Sequence, residues 1–73
     1  MTIFSKNLKK LRVSKNLTQK QLGELIGASE RGIQNYELGL RKPNYDMLIA
    51  IADYFDVSLD FLVGRSKDPK LYR

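Results

Sequence analysis

Apolar positions recur three and four residues apart along most of the chain, in five successive stretches. Phe4, Leu8 and Leu11 make the first stripe and leave Lys6, Lys9 and Lys10 outside it. This predicts a helix over about 4–15, ended at Asn16. The second stripe is Leu22, Leu25 and Ile26, and its start is the best marked. Thr18 stands at a capping position with Gln21 three residues later, a capping box, and Leu17 and Leu22 flank it as a hydrophobic staple. Gly27 stops this helix in the left-handed conformation that glycine adopts cheaply. A third helix follows almost at once. Ser29 caps it, Glu30 lies in the first turn where the helix dipole favours an acid, and Ile33, Tyr36 and Glu37 share one face up to the stop at Gly39. Asn44 caps a fourth helix with the apolar face Leu48, Ile51, Ala52 and Phe55. Ser58 caps a short fifth one, stapled from Val57 to Leu62 and ended at Gly64. No strand-like alternation runs beyond a few residues. The segment from Arg65 onward carries no stripe, contains Pro69, and reads as a loose tail. The expected organisation is a single all-α domain over 1–65 with a short tail over 66–73.

Composition narrows the function classes. The 73 residues include no cysteine and no histidine. Disulfides, thiolate nucleophiles and the usual zinc ligands are therefore excluded, and a catalytic triad lacks its commonest base. No nucleophile–base pair, metal cluster or phosphate-cradling glycine loop is present, so neither an enzyme nor a metal or cofactor protein is expected. No apolar run reaches membrane-span length and no signal-peptide core is visible, which makes the cytoplasm the expected compartment and a membrane partner unexpected. The formal charge is +5, unevenly spread: Lys6, Lys9, Lys10, Arg12, Lys15 and Lys20 fall in the first twenty residues without one acid. Arg65, Lys67, Lys70 and Arg73 outnumber Asp68 at the other end. Basic ends around a near-neutral middle suit a polyanion, although a solvated basic surface has the same composition.

The segment over 19–38 reads QKQLGELIGASERGIQNYEL. Two helices separated by two or three residues must cross steeply rather than run antiparallel. Such a crossing needs a small residue where the backbones approach and a glycine where the chain turns, and Gly23 and Gly27 supply them. Here the chain resembles the phage-repressor-like helix-turn-helix proteins of the Cro/Xre type. The resemblance covers about residues 3–65: the basic opening helix, LTQKQLGELIG, SERGIQNYELG, the following Arg-Lys-Pro and the closing VSLDFLVG. It implies a five-helix λ-repressor-like DNA-binding domain, with the helix-turn-helix formed by helices 2 and 3 and the recognition helix over 29–38.

The resemblance assigns roles residue by residue. Ile33 and Tyr36 face the core, so Ser29, Glu30, Arg31, Gln34 and Asn35 are the expected base-contacting residues. Arg31 can fork onto guanine, Gln34 or Asn35 can pair with adenine, and Glu30 can accept from cytosine. Glu30 replaces the glutamine that several family members carry here. It either reads a base or only braces Gln19 or Arg31. Gln19 opens helix 2, whose free amides suit a phosphate. With Arg41, Lys42 and Asn44 it forms the implied phosphate-contacting set. Arg12 and Glu37 lie beside apolar stripes, where a lone charge is costly. The family forms an internal ion pair at these positions, and the same structural pair is expected here.

The function implied is a transcriptional regulator of double-stranded DNA, a repressor reading an inverted-repeat operator as a homodimer. Helix 5 and the tail are the expected dimer surface, through Leu59, Phe61, Leu71 and Tyr72. Phe61 and Leu62 cannot easily share one core stripe, so one of them is expected to be exposed. The alternative use of the same fold is an antitoxin or protein-interaction module.

Overall fold

The computed structural model describes residues 2–69. They form five helices: α1 (Ile3–Ser14), α2 (Gln19–Ile26), α3 (Glu30–Glu37), α4 (Tyr45–Phe55) and α5 (Leu59–Leu62), with no strand among the described residues. The all-α, five-helix expectation is met. α1 starts one residue earlier than its stripe suggests because the Thr2 hydroxyl accepts the Ser5 amide and caps it.

The same two local devices bound every helix. Thr2, Thr18, Ser29, Asn44 and Ser58 have extended backbones, and each side-chain oxygen accepts the amide three residues on, at 2.8–3.1 Å. At Thr18 the capping box is complete, with Gln21 Oε1 accepting the Thr18 amide at 2.9 Å. At the C-terminal ends stand Asn16, Gly27, Gly39, Asp56 and Gly64, all with positive φ. The amide after each returns to the carbonyl five residues back, in the pairs Leu17–Arg12, Ala28–Gly23, Leu40–Asn35, Val57–Ala52 and Arg65–Asp60, at 2.7–3.2 Å. These bonds occupy groups that a helix leaves open at its ends, so helices of four to twelve residues hold without strong intrinsic propensity.

The core takes one fully buried aliphatic side chain from each helix: Leu8, Leu22, Ile33, Ile51 and Leu62. Phe4, Ala52, Phe55 and Val57 complete it. Truncating one such residue to alanine costs about 2–5 kcal/mol, a large share of the roughly 5–15 kcal/mol that a domain has in total.

Three expectations need correction or refinement. Leu25 is 52% exposed rather than part of the buried stripe, while Leu22 and Gly23 are buried and Ile26 is half-buried. Close approach at Gly23 draws the buried arc of α2 toward the Leu22–Ile26–Gly23 side, and at about 100° per residue Leu25 falls outside it. The segment after Gly64 is not loose as far as residue 69. The amides of Arg65 and Ser66 donate to the Asp60 carbonyl, and the Ser58 amide donates to the Pro69 carbonyl at 3.0 Å. Leu71 and Tyr72 lie outside the described residues. Of the neighbours Phe61 and Leu62, Leu62 is fully buried and Phe61 is half-buried against the core rim.

One contact has no sequence signal. Asn7 Nδ2 in α1 donates to the carbonyls of Phe61 and Leu62 at 2.9 and 3.3 Å. The last carbonyls of a helix have no partner within it, and α1 supplies one from outside; that of Phe61 also accepts the Gly64 amide at 3.1 Å. Among the described residues no helix is long and apolar enough to cross a membrane, and no group of three or more His, Cys, Asp or Glu is arranged to hold a metal ion.

Candidate nucleic-acid interface

α2 and α3 pack closely on each other, joined by a three-residue turn over 27–29. Gly23 is buried at this contact, and a methyl group there would lie 2.5 Å from the Ala28 carbonyl oxygen. The packing of the two helices is therefore set by backbone against backbone, a stiffer reference than side-chain contact.

That packing divides α3 into two faces. Ile33 and Glu37 are buried, and Tyr36 is half-buried with its ring edge toward Phe4, centroids 6.4 Å apart. On the other side Ser29, Glu30, Arg31 and Gln34 are exposed and Asn35 is half-buried. Leu38 shares this side and is 51% exposed. An eight-residue helix spans about 12 Å, so these side chains form one short polar strip. Ser29 Oγ already accepts the Gly32 amide at 2.9 Å, which leaves its proton to donate. Among the described residues Glu30 forms no ion pair with Arg31, and Gln19 bonds elsewhere. The bracing alternative for Glu30 thus has no contact behind it, and its carboxylate faces solvent.

The expected phosphate-contacting residues come from two places in the chain, the start of α2 and the connection after α3. Arg41 and Lys42 are exposed in the connection between α3 and α4. Asn44 uses Oδ1 to accept the Met47 amide at 2.8 Å, so its Nδ2 remains to donate outward. Gln19, the first residue of α2, is half-buried, and its Nε2 donates to Glu37 Oε1 at 3.2 Å. The family resemblance points this amide at a phosphate and at Glu30; its bond to Glu37 has no signal in the sequence.

Behind the strip lies the ion pair. Arg12 Nε donates to Glu37 Oε2 at 2.6 Å and Nη2 to Oε1 at 3.1 Å. Arg12 Nη1 donates to the Leu17 carbonyl at 2.7 Å. The two side chains are 14% and 4% exposed. A buried forked pair of this kind is held by geometry as much as by charge, and loss of one partner strands the other.

Comparison with known proteins agrees with this architecture. Residues 8–62 match the helix-turn-helix family model. The chain is 41% identical over 71 residues to YqaE of Bacillus subtilis, an uncharacterized HTH-type transcriptional regulator; the match covers 97% of this chain and 61% of that protein. A transcriptional regulator from Listeria innocua superposes with a TM-score of 0.79 at 38% identity, over 84% of this chain and 57% of that one. The P22 c2 repressor, solved in complex with a synthetic operator, superposes with a TM-score of 0.83 over 90% of this chain and 100% of that one; at 23% identity the likeness concerns the fold. The chain spans less than two thirds of the length of YqaE. It belongs to the helix-turn-helix family of the Cro/C1 type, a class of DNA-binding transcriptional-regulator domains and not of enzymes.

Proposed function

We propose that this chain is a sequence-specific double-stranded DNA-binding regulator, a cytoplasmic repressor that binds an inverted-repeat operator as a homodimer. The observation that carries the reading is the two-faced α3: Ile33 and Glu37 are held inward while Glu30, Arg31 and Gln34 stand together in solvent. A helix fixed by its buried side and polar on the other can enter a major groove without rearrangement. Ser29, Glu30 and Arg31 lead, followed by Gln34 and Asn35. Arg31 suits guanine O6 and N7, Gln34 or Asn35 suits adenine, and Glu30 suits cytosine N4. Gln19, Arg41, Lys42 and Asn44 hold the phosphates and set register without reading sequence.

A homodimer through α5 completes the proposal. Leu59 is 38% exposed and Phe61 half-buried. The domain measures 31 × 22 × 22 Å, a size at which two abutting copies can present recognition helices one DNA turn, about 34 Å, apart. Selection from random duplexes with purified protein tests both parts. Enrichment of an inverted repeat with half-sites about 10 base pairs apart supports the reading. No enrichment over random DNA at moderate salt overturns it in favour of the protein-interaction use of the fold. Repression or activation of a reporter carrying the enriched site then decides the sign.

A further inference from the structure

We propose that Glu37, buried behind the recognition surface, is a positioning residue for Gln19, so that the Arg12–Glu37 pair governs affinity for DNA as well as stability. This rests on the DNA-binding reading above. A forked arginine–carboxylate pair is complete with two hydrogen bonds, yet Glu37 takes a third donor. Its Oε2 accepts Arg12 Nε, and its Oε1 accepts both Arg12 Nη2 and Gln19 Nε2. The third donor comes from the first residue of α2, eighteen positions away.

The consequence for Gln19 is orientation. Its amide nitrogen carries two protons, and one is committed to Glu37. The flipped amide would set a carbonyl oxygen against a buried carboxylate, so the nitrogen is the inward atom and its second proton remains to donate. A glutamine without this partner is free to turn its carbonyl outward, where a phosphate repels it. The backbone prepares the same place. Of the four amides that a helix start leaves open, the capping box uses those of Thr18 and Gln21. The amides of Gln19 and Lys20 are left, at the positive end of the α2 dipole. Arg12 Nη1 also holds the Leu17 carbonyl just before the cap, which registers the whole entry of α2 to the end of α3. One carboxylate thereby ties the phosphate anchor to the helix that reads the bases.

Binding to the selected operator and to a random duplex, measured over a range of salt for wild type, Glu37→Gln, Gln19→Met and the double variant, tests this. Gln19→Met, which keeps the shape but donates nothing, is expected to weaken both duplexes by about tenfold. Because no charge is lost, the salt dependence of binding stays unchanged. Glu37→Gln is expected to cause a similar loss alone and little further loss beside Gln19→Met, with the base preference intact. Equal losses from Glu37→Gln in both backgrounds, or a changed base preference, overturn the inference and leave a structural role only. Should Glu37→Gln fail to fold, the side-chain amide of Gln19 in the wild type decides by NMR. One Hε2 proton is expected to resist solvent exchange in the free domain and after operator addition, while the other shifts on binding. Free exchange of both protons, or loss of the protected one on binding, overturns the inference. A wild-type domain that binds no duplex overturns the DNA reading and this inference together; additive losses with wild-type binding intact overturn this inference alone.

Discussion

The carbonyl of Gly23 accepts the amide of Ala28 at 2.8 Å, and the position a Gly23 methyl group would take lies 2.5 Å from the Ala28 carbonyl oxygen. The obstacle is backbone, which cannot swing aside as a side-chain tip can. Gly23→Ala is expected to cost about 1–3 kcal/mol through overpacking, and to weaken operator binding because α3 shifts on α2. Gly27 differs: nothing lies within 4 Å of its missing methyl, but its φ is +81°. Gly27→Ala is expected to cost about 1–2 kcal/mol from the left-handed conformation and to leave affinity unchanged in the folded fraction. Urea unfolding and operator titration of the same samples separate the two. Equal affinity losses would refute the distinction.

Arg31 and Lys42 are both exposed cations, and their expected contributions differ in kind. Arg31→Ala is expected to lose about 1–3 kcal/mol of discrimination at one base position and to broaden the selected motif there. Lys42→Ala is expected to weaken all sequences alike and to reduce the slope of log K against log salt by about 0.9. Salt titrations on matched and mismatched duplexes report both quantities.

Leu25 is half in solvent despite its place in an apparent apolar stripe. Leu25→Ser is expected to change stability by no more than about 0.5 kcal/mol. Leu22→Ala, three residues earlier and fully buried, is expected to lose about 2–5 kcal/mol. A thermal melt of each variant is sufficient.

Asp56 ends α4 with φ 55° and ψ 48°, an acid in a left-handed conformation at the negative end of a helix. Both features are unfavourable for it. Asp56→Gly relieves both, partly offset by the greater freedom of glycine in the unfolded chain. The expected net gain is about 1 kcal/mol, or about 4–8 °C in Tm for a domain of this size. An unchanged or lowered Tm contradicts the account.

What sequence reasoning captured was what neighbouring residues decide together. Thr18 with Gln21, Ser29 before Glu30, and Asn44 and Ser58 at their caps act within three or four positions, so their chemistry is visible in order. The two faces of α3 follow from the spacing of Ile33, Tyr36 and Glu37. Contacts across the chain were hidden, apart from the Arg12–Glu37 pair that the family resemblance implied. Nothing around Gln19 announces a bond to Glu37, and nothing around Asn7 announces that it caps α5. Leu25 misled because a three- or four-residue spacing fixes a stripe only to within one flank, and the burial of Gly23 chose the other. The fold-back over 65–69 was not legible because its bonds to Ser58 and Asp60 run between backbone groups.

The shared carboxylate of Glu37 also bears on how the domain opens. Fraying of α3 alone would strand Arg12, and fraying of α1 would strand Glu37, so neither helix can exchange its amides with solvent by a small local excursion. The central amides of α1 and α3 are expected to exchange deuterium together, at the rate of global unfolding, while those of the four-residue α5 exchange faster. The recognition helix would then be among the last parts of this small domain to lose its shape, and a partly unfolded molecule would still carry its reading surface intact.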